Sequence, residues 1–156
     1  MNNHIHRLTQ NDLPRLRAFW VEQWGDEIVV AHNEIIRYGE VEGFIYDDWE
    51  GLLTFMIRGE ECEVTSLNSL IEGKGIATAL INEVLQEAKE KKCCRVFLIT
   101  TNDNLHALGF YQRRGFELVA IQRGAVNESR KVKPTIPLIG ENNIPLRDEI
   151  ELEILV

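Results

Sequence analysis

Two stretches of this chain carry residues spaced for chemistry. The first runs from Leu67 to Thr78, LNSLIEGKGIAT. There an apolar run ends, a short glycine-bearing turn follows, and a helical pattern begins. N–H groups in the first turn of a helix lack intrahelical partners, and with the positive end of the dipole they form an anion site. Gly73 and Gly75 remove side chains where a phosphate would clash, and Ala77 is nearly as small. Thr78 adds a hydroxyl and Lys74 a mobile positive charge. Close packing of a helix on a sheet would also explain small residues here. The P-loop pattern G-x-x-x-x-G-K-[ST] and the dinucleotide pattern G-x-G-x-x-G both fail to fit. The second stretch, Asn104 to Phe116, reads NLHALGFYQRRGF and has the spacing N-x-x-A-x-x-F-Y-x-x-x-G-F. A third set of candidates lies on EECEVTSL, where a period of two puts Glu61, Glu63, Thr65 and Leu67 on one face and Cys62, Val64 and Ser66 on the other. Either glutamate can take a proton from an attacking amine, and either can equally be a solvated strand-end carboxylate.

These residues need elements to hold them. HIHRLT, residues 4 to 9, alternates loosely as a first strand. Asn11 or Asp12 then caps a helix with Leu13, Leu16, Phe19, Trp20 and Trp24 at helical spacing. Trp20 and Trp24 can line an acceptor pocket, but core packing explains them as well. Residues 25 to 42, with His32, resist assignment. From Phe44 to Leu67 the pattern, broken at Asp47–Gly51 and Gly59–Glu61, is a three-strand meander. Ile76, Ala77, Leu80, Ile81, Val84, Leu85 and Ala88 form one face of an amphipathic helix, with Glu87 among the residues on the other side. Arg95 to Thr101 suits a buried strand. A second helix spans about Asn104 to Arg114 and is stopped by Gly115. Phe116 to Ile121 is a strand, and the tail from Asn127 is irregular until the alternating EIELEILV. The sum is α/β of the α+β type: a mixed, mainly antiparallel sheet flanked by helices.

The whole fits one domain, residues 1–156. A composition of 44% apolar and 27% charged residues is that of an ordinary globular protein. Seventeen basic against twenty-five acidic residues give a net charge of −8, which argues against nucleic acid and anionic membranes as partners. Any anion must be held by local groups. The apolar runs are too short to span a bilayer and the N-terminus lacks a signal-peptide core. Cys62, Cys93 and Cys94 form no C-x-x-C pair, so neither a disulfide framework nor a metal site is expected, and a reducing cytoplasm is the expected location.

The glycine turn and the Asn104–Phe116 motif, in this order, closely resemble the GNAT superfamily of acetyl-coenzyme A-dependent N-acyltransferases. The match covers about residues 43 to 121. The family writes its turn [QR]-x-x-G-x-[GA]; here it is Glu72, Gly73, Lys74, Gly75, Ile76, Ala77, with an acid at the first position. The resemblance implies a GNAT-like fold with splayed central strands. It implies that Gly73 through Ala77, with Thr78, wrap the pyrophosphate of acetyl-CoA, and that backbone groups around Leu67 and Ser69 pair with the pantetheine arm. It further implies that Asn104 hydrogen-bonds the cofactor, that Tyr111 protonates the leaving thiolate, and that Glu61 lies where relatives often carry a carboxylate base. A phenol of reference pKa near 10 can donate to a thiolate within reach; a buried aromatic would look the same in sequence.

The function expected is acetyl transfer to a primary amine of a small molecule or peptide, by direct attack in a ternary complex and without a metal. A non-catalytic acyl-CoA-binding sensor or partner-binding module is the rival. Arg123, Arg130, Lys131 and Lys133 are either a solvated basic patch or a contact for the cofactor's 3′-phosphate. The Pro-containing C-terminal segment is expected to shape the acceptor side or a homodimer contact.

Overall fold

In a computed structural model of the chain, residues 2–32 and 34–156 are described. The strands are β1 (Ile5–Arg7), β2 (Ile28–Ala31), β3 (Glu34–Arg37), β4 (Glu42–Tyr46), β5 (Gly51–Arg58), β6 (Glu61–Ser69), β7 (Arg95–Thr101), β8 (Glu117–Gln122) and β9 (Glu149–Leu155). The helices are α1 (Leu13–Trp24), α2 (Ile76–Glu90), α3 (Leu105–Arg113) and α4 (Ala125–Val132). Seven strands form a mixed, mainly antiparallel sheet in the order β1-β4-β5-β6-β7-β9-β8, and β2 pairs with β3 separately. The chain divides into two compact units. One holds residues up to Val29, Ile36–Val96 and Val156; the other holds Val30–Ile35 and Phe97–Leu155. Among the described residues no helix is long and apolar enough to cross a membrane.

In the first unit, Thr9 and Asp12 form a capping box ahead of α1, with the Thr9 N–H donating to Asp12 Oδ2 at 2.8 Å. Gly25 ends α1 in the left-handed region, φ 72°. The buried side of α1, Leu16, Phe19 and Trp20, packs with Ile36, Val41, Ile45, Trp49 and Leu52. Each such side chain contributes about 1.5–3 kcal/mol on burial. Trp20 and Trp24 belong to this core and its margin, with ring centroids 5.5 Å apart. The meander is β4–β5–β6, antiparallel throughout.

Two face assignments read from periodicity are corrected. A register shift between Thr54 and Phe55 leaves one extra residue, Thr65, in β6. A bulge of this kind reverses the alternation beyond it. Leu67, opposite Leu53, therefore leaves the face of Glu61 and Glu63, and Ser66, opposite Thr54, joins that face. The Thr54 hydroxyl meets those of Thr65 and Ser66 at 2.7 and 2.5 Å, which satisfies the hydroxyls at the irregularity. On α2, Glu87 is buried and not solvated. Arg7 Nη2 donates to its Oε1 at 2.5 Å, so the apolar seam accommodates a charge because a cation meets it.

Part of the structure was not revealed by the sequence pattern. β2 and β3 are only four residues each, too short for a periodic signal. The tail holds α4, and the expected basic patch is partly spent: the Arg130 guanidinium donates to the carbonyls of Ile136, Pro137 and Leu146 and to Asn127 Oδ1. That one side chain organises the proline-containing segment. Asp103 fixes the same segment from the other side, accepting from Thr101 Oγ1 and from the Glu141 N–H at 2.8 Å.

The seating of α2 on β5 turns on Gly51. A Cβ there would lie 2.3 Å from Ile76 Cγ2 and 3.1 Å from Leu80 Cδ1. Gly51→Ala should therefore destabilise the protein by about 1–3 kcal/mol. Denaturant unfolding would show a lower midpoint at unchanged slope; an unaltered midpoint would contradict this packing.

Candidate active site

β6 ends at Ser69, whose hydroxyl donates to Ile71 O at 3.1 Å, and the Leu70 N–H donates to Glu50 O at 2.9 Å. The chain then turns through Gly73 and Gly75, both left-handed at φ 78° and 69°. A side chain is disfavoured at such φ values, and no atom lies within 4 Å of where a Cβ would stand at either position. The glycines thus serve the backbone path and leave open space in front of it. Gly75 is the N-cap of α2, no side chain caps this end, and the Ala79 N–H is bonded back to Gly75 O at 3.0 Å. The amides of Ile76 and Ala77 precede that bond, at the positive end of a 15-residue helix. Thr78 is half-buried in the same turn. Lys74 Nζ stands 3.9 Å from Glu50 Oε2, and Glu72 is exposed. Helix-start amides without a capping side chain, beside two left-handed glycines, are groups that can hold an anion.

Farther back on β6, Glu63 is buried, opposite Met56. Glu61 is exposed at the start of the strand and ion-paired with Arg95. Eight residue steps separate Glu61 from Ser69, roughly 27 Å of extended strand, so Glu61 stands well away from the glycine turn and Glu63 two residues nearer. Asn68, on the same face, keeps its Oδ1 buried without a hydrogen-bond partner among the described residues.

In the second unit, Asn104 is the N-cap of α3, its Oδ1 accepting from the Ala107 N–H at 3.1 Å. Two turns on, Tyr111 is buried edge-on against Phe110 and Phe116, with ring centroids 5.2 and 5.4 Å away. Burial, with no charged neighbour contributing, pushes its phenol well above the usual value of 10. Gly115, at φ 96°, lets the chain reverse so that the Phe116 N–H reaches Tyr111 O at 3.1 Å. The motif's aromatic and glycine spacing is therefore a closed local unit around Tyr111.

One cluster was missed in the sequence. His32 donates its backbone N–H to the buried Glu149 carboxylate at 3.1 Å, and its ring nitrogens stand 3.8 Å from Glu149 and 3.4 Å from Glu151. The available signal was EIELEI, whose alternation puts Glu149, Glu151 and Glu153 on one face.

Residues 9–116 match the model of the acetyltransferase (GNAT) family, and the chain belongs to that family. It is 43% identical over 139 residues to the uncharacterized protein YdhI of Bacillus subtilis (strain 168), covering 86% of this chain and 87% of that one. Its fold is shared with a Bacillus subtilis acetyltransferase in complex with CoA (TM-score 0.70, 19% identity, 98% of each chain covered). A GNAT family acetyltransferase from Elizabethkingia anophelis with acetyl-CoA bound is similar in fold at a TM-score of 0.69 and 18% identity, over 99% of this chain and all of that one.

Because folding favours the protonated Tyr111 phenol, its contribution to stability is intact below about pH 10 and is lost as pH rises beyond that. Unfolding measured at pH 9 and again above pH 11 should show a larger loss of stability for the wild type than for Tyr111→Phe. Equal losses would mean that the phenol is not buried.

Proposed function

We propose that this protein is an N-acetyltransferase that moves an acetyl group from acetyl-CoA to a primary amine of a small molecule or peptide, by direct attack in a ternary complex. The observation that carries this reading is the pair of left-handed glycines, with open space before them, at the uncapped start of α2. Acetyl-CoA, when bound, supplies a thioester carbonyl and a thiolate leaving group. The backbone from Gly73 through Ala77, with Thr78 and the Lys74 ammonium, holds the pyrophosphate. Backbone groups of Leu67 and Ser69 pair with the pantetheine amides. Asn104 contributes its side-chain NH2, because its oxygen already caps α3.

Tyr111 donates a hydrogen bond to the leaving sulfur. With its phenol above 10 and a thiol near 8.5, complete proton transfer is uphill by roughly 2 kcal/mol or more. Tyr111 therefore stabilises developing negative charge while keeping its proton for most of the reaction. The acceptor ammonium must lose a proton before attack. Glu63 is the base of this reading, being two residues nearer the turn and buried, while Glu61 lies at the exposed start of the same strand. Direct attack is supported at two of the three cysteines: burial pushes the Cys62 thiol up to about 12 and raises that of Cys93, which makes both poor nucleophiles. Three free cysteines suit a reducing cytoplasm, and a net charge of −8 disfavours nucleic acid and anionic lipid as partners.

A thiol-release screen over small amines, amino acids, polyamines and peptides identifies the acceptor. Tight acetyl-CoA binding with no thiol release for any amine would favour the non-catalytic module. With a responsive acceptor, Tyr111→Phe should lower kcat on the order of 100-fold with little change in KM for acetyl-CoA; an unchanged kcat removes Tyr111 from the chemistry. Gly73→Asp should weaken acetyl-CoA binding at least about tenfold more than Gly73→Asn, which carries the same left-handed backbone cost without placing an acid in the cradle. Equal binding by the two variants would remove the turn from the site.

A further inference from the structure

The backbone around residue 50 is tied to the glycine turn from two sides. Glu50 O accepts the Leu70 N–H at 2.9 Å, just past the end of β6. Gly51 pairs with Ser69 and lies so close to Ile76, the first residue of α2, that a Cβ there would clash. The Glu50 side chain therefore stands beside the start of that helix. Its Oε2 is buried and has no hydrogen-bond partner among the described residues. The cation facing it is Lys74, whose Nζ stands 3.9 Å away with the side chain 54% exposed. That separation is too long for a hydrogen bond, yet well within the range of Coulomb attraction. Among the described residues neither group has another ionic partner. The lysine thus offsets the charge of a half-buried acid without satisfying its oxygen.

We propose that Glu50 is a restraining counter-charge, which holds Lys74 back from the anion site until the diphosphate of coenzyme A draws the lysine away. This role rests on the acetyl-CoA reading of the glycine turn and adds a residue to it. In the unliganded chain the ammonium keeps the Glu50 carboxylate from being an uncompensated charge. A diphosphate carries more negative charge than one carboxylate and attracts the ammonium more strongly. Once the lysine has moved, Glu50 is left without its cation and with a second anion close by. Part of the attraction for the ligand is offset in this way, so the turn binds coenzyme A less tightly than it would without the acid. A ligand held less tightly also leaves sooner after transfer. Pantetheine has no phosphate, makes no demand on Lys74, and is indifferent to Glu50.

Calorimetric titration of the full chain with coenzyme A and with pantetheine tests this role in the wild type, Glu50→Gln, Lys74→Ala and the double variant. Glu50→Gln keeps the backbone bond to Leu70 and should tighten coenzyme A binding roughly fivefold, with the affinity for pantetheine unchanged. The gain should shrink in about 1 M salt, where the screening length is about 3 Å. In the Lys74→Ala background the same substitution should alter coenzyme A affinity by less than about twofold, because no lysine remains to be released. Unchanged or weaker binding of coenzyme A by Glu50→Gln would overturn the role of Glu50 and leave the cradle standing. So would equal tightening with and without Lys74. Coenzyme A that binds the wild type no better than pantetheine would instead remove the diphosphate from the turn, and the role of Glu50 with it.

Discussion

The main-chain N–H groups at the start of α2 are the donors on which the proposed chemistry depends. A chain with a net charge of −8 has no general attraction for a polyphosphate, so the attraction has to be local and fixed in direction. A helix start supplies both, provided that no capping side chain occupies the donors. Here none does, because Gly75 is the N-cap and Gly73 precedes it, both in backbone conformations that larger residues avoid. The exposed Glu72 is compatible with this reading, because the proposed donors are peptide N–H groups and not the side chain at position 72.

The rest of the first unit holds that helix start in place. Gly51 lets α2 lie close on β5, the buried face from Ile76 to Ala88 anchors it, and the Arg7–Glu87 pair locks its far end to β1. β6 delivers the chain to the turn after a bulge that reorders which residues share a face. In the second unit the same logic applies to Tyr111. The Asn104 cap starts α3, Gly115 closes it, and two aromatic rings fix the phenol between them. Arg130 and Asp103 then tie the proline-containing tail into place, so a segment without a repetitive pattern is nonetheless determined by hydrogen bonds.

Much of this was legible in the residues. Helix α2, the meander, β7 and α3 announce themselves by period and by turn chemistry, and the glycine turn and Asn104–Phe116 spacing point to the family. What was not legible has physical causes. The bulge at Thr65 follows from sheet geometry and leaves no mark in a period-two reading, so Leu67 was placed on the wrong face. Glu87 reads as polar until Arg7, eighty residues away in sequence, meets it. Arg130 reads as a surface charge until its carbonyl partners are assembled, and β2 and β3 are too short to show a period. His32 draws its meaning from Glu149 and Glu151, more than a hundred residues later. Local patterns are written in neighbouring residues; tertiary pairings are not.

The most direct measurement is a backbone amide NMR titration of the labelled protein with coenzyme A. If the peptide groups opening α2 hold the diphosphate, the amides from Gly73 to Thr78 shift most, saturate together with the binding curve, and lose their response as salt competes for the anion. Coenzyme A binding that leaves those amides unmoved while perturbing another part of the chain would contradict the account at its base.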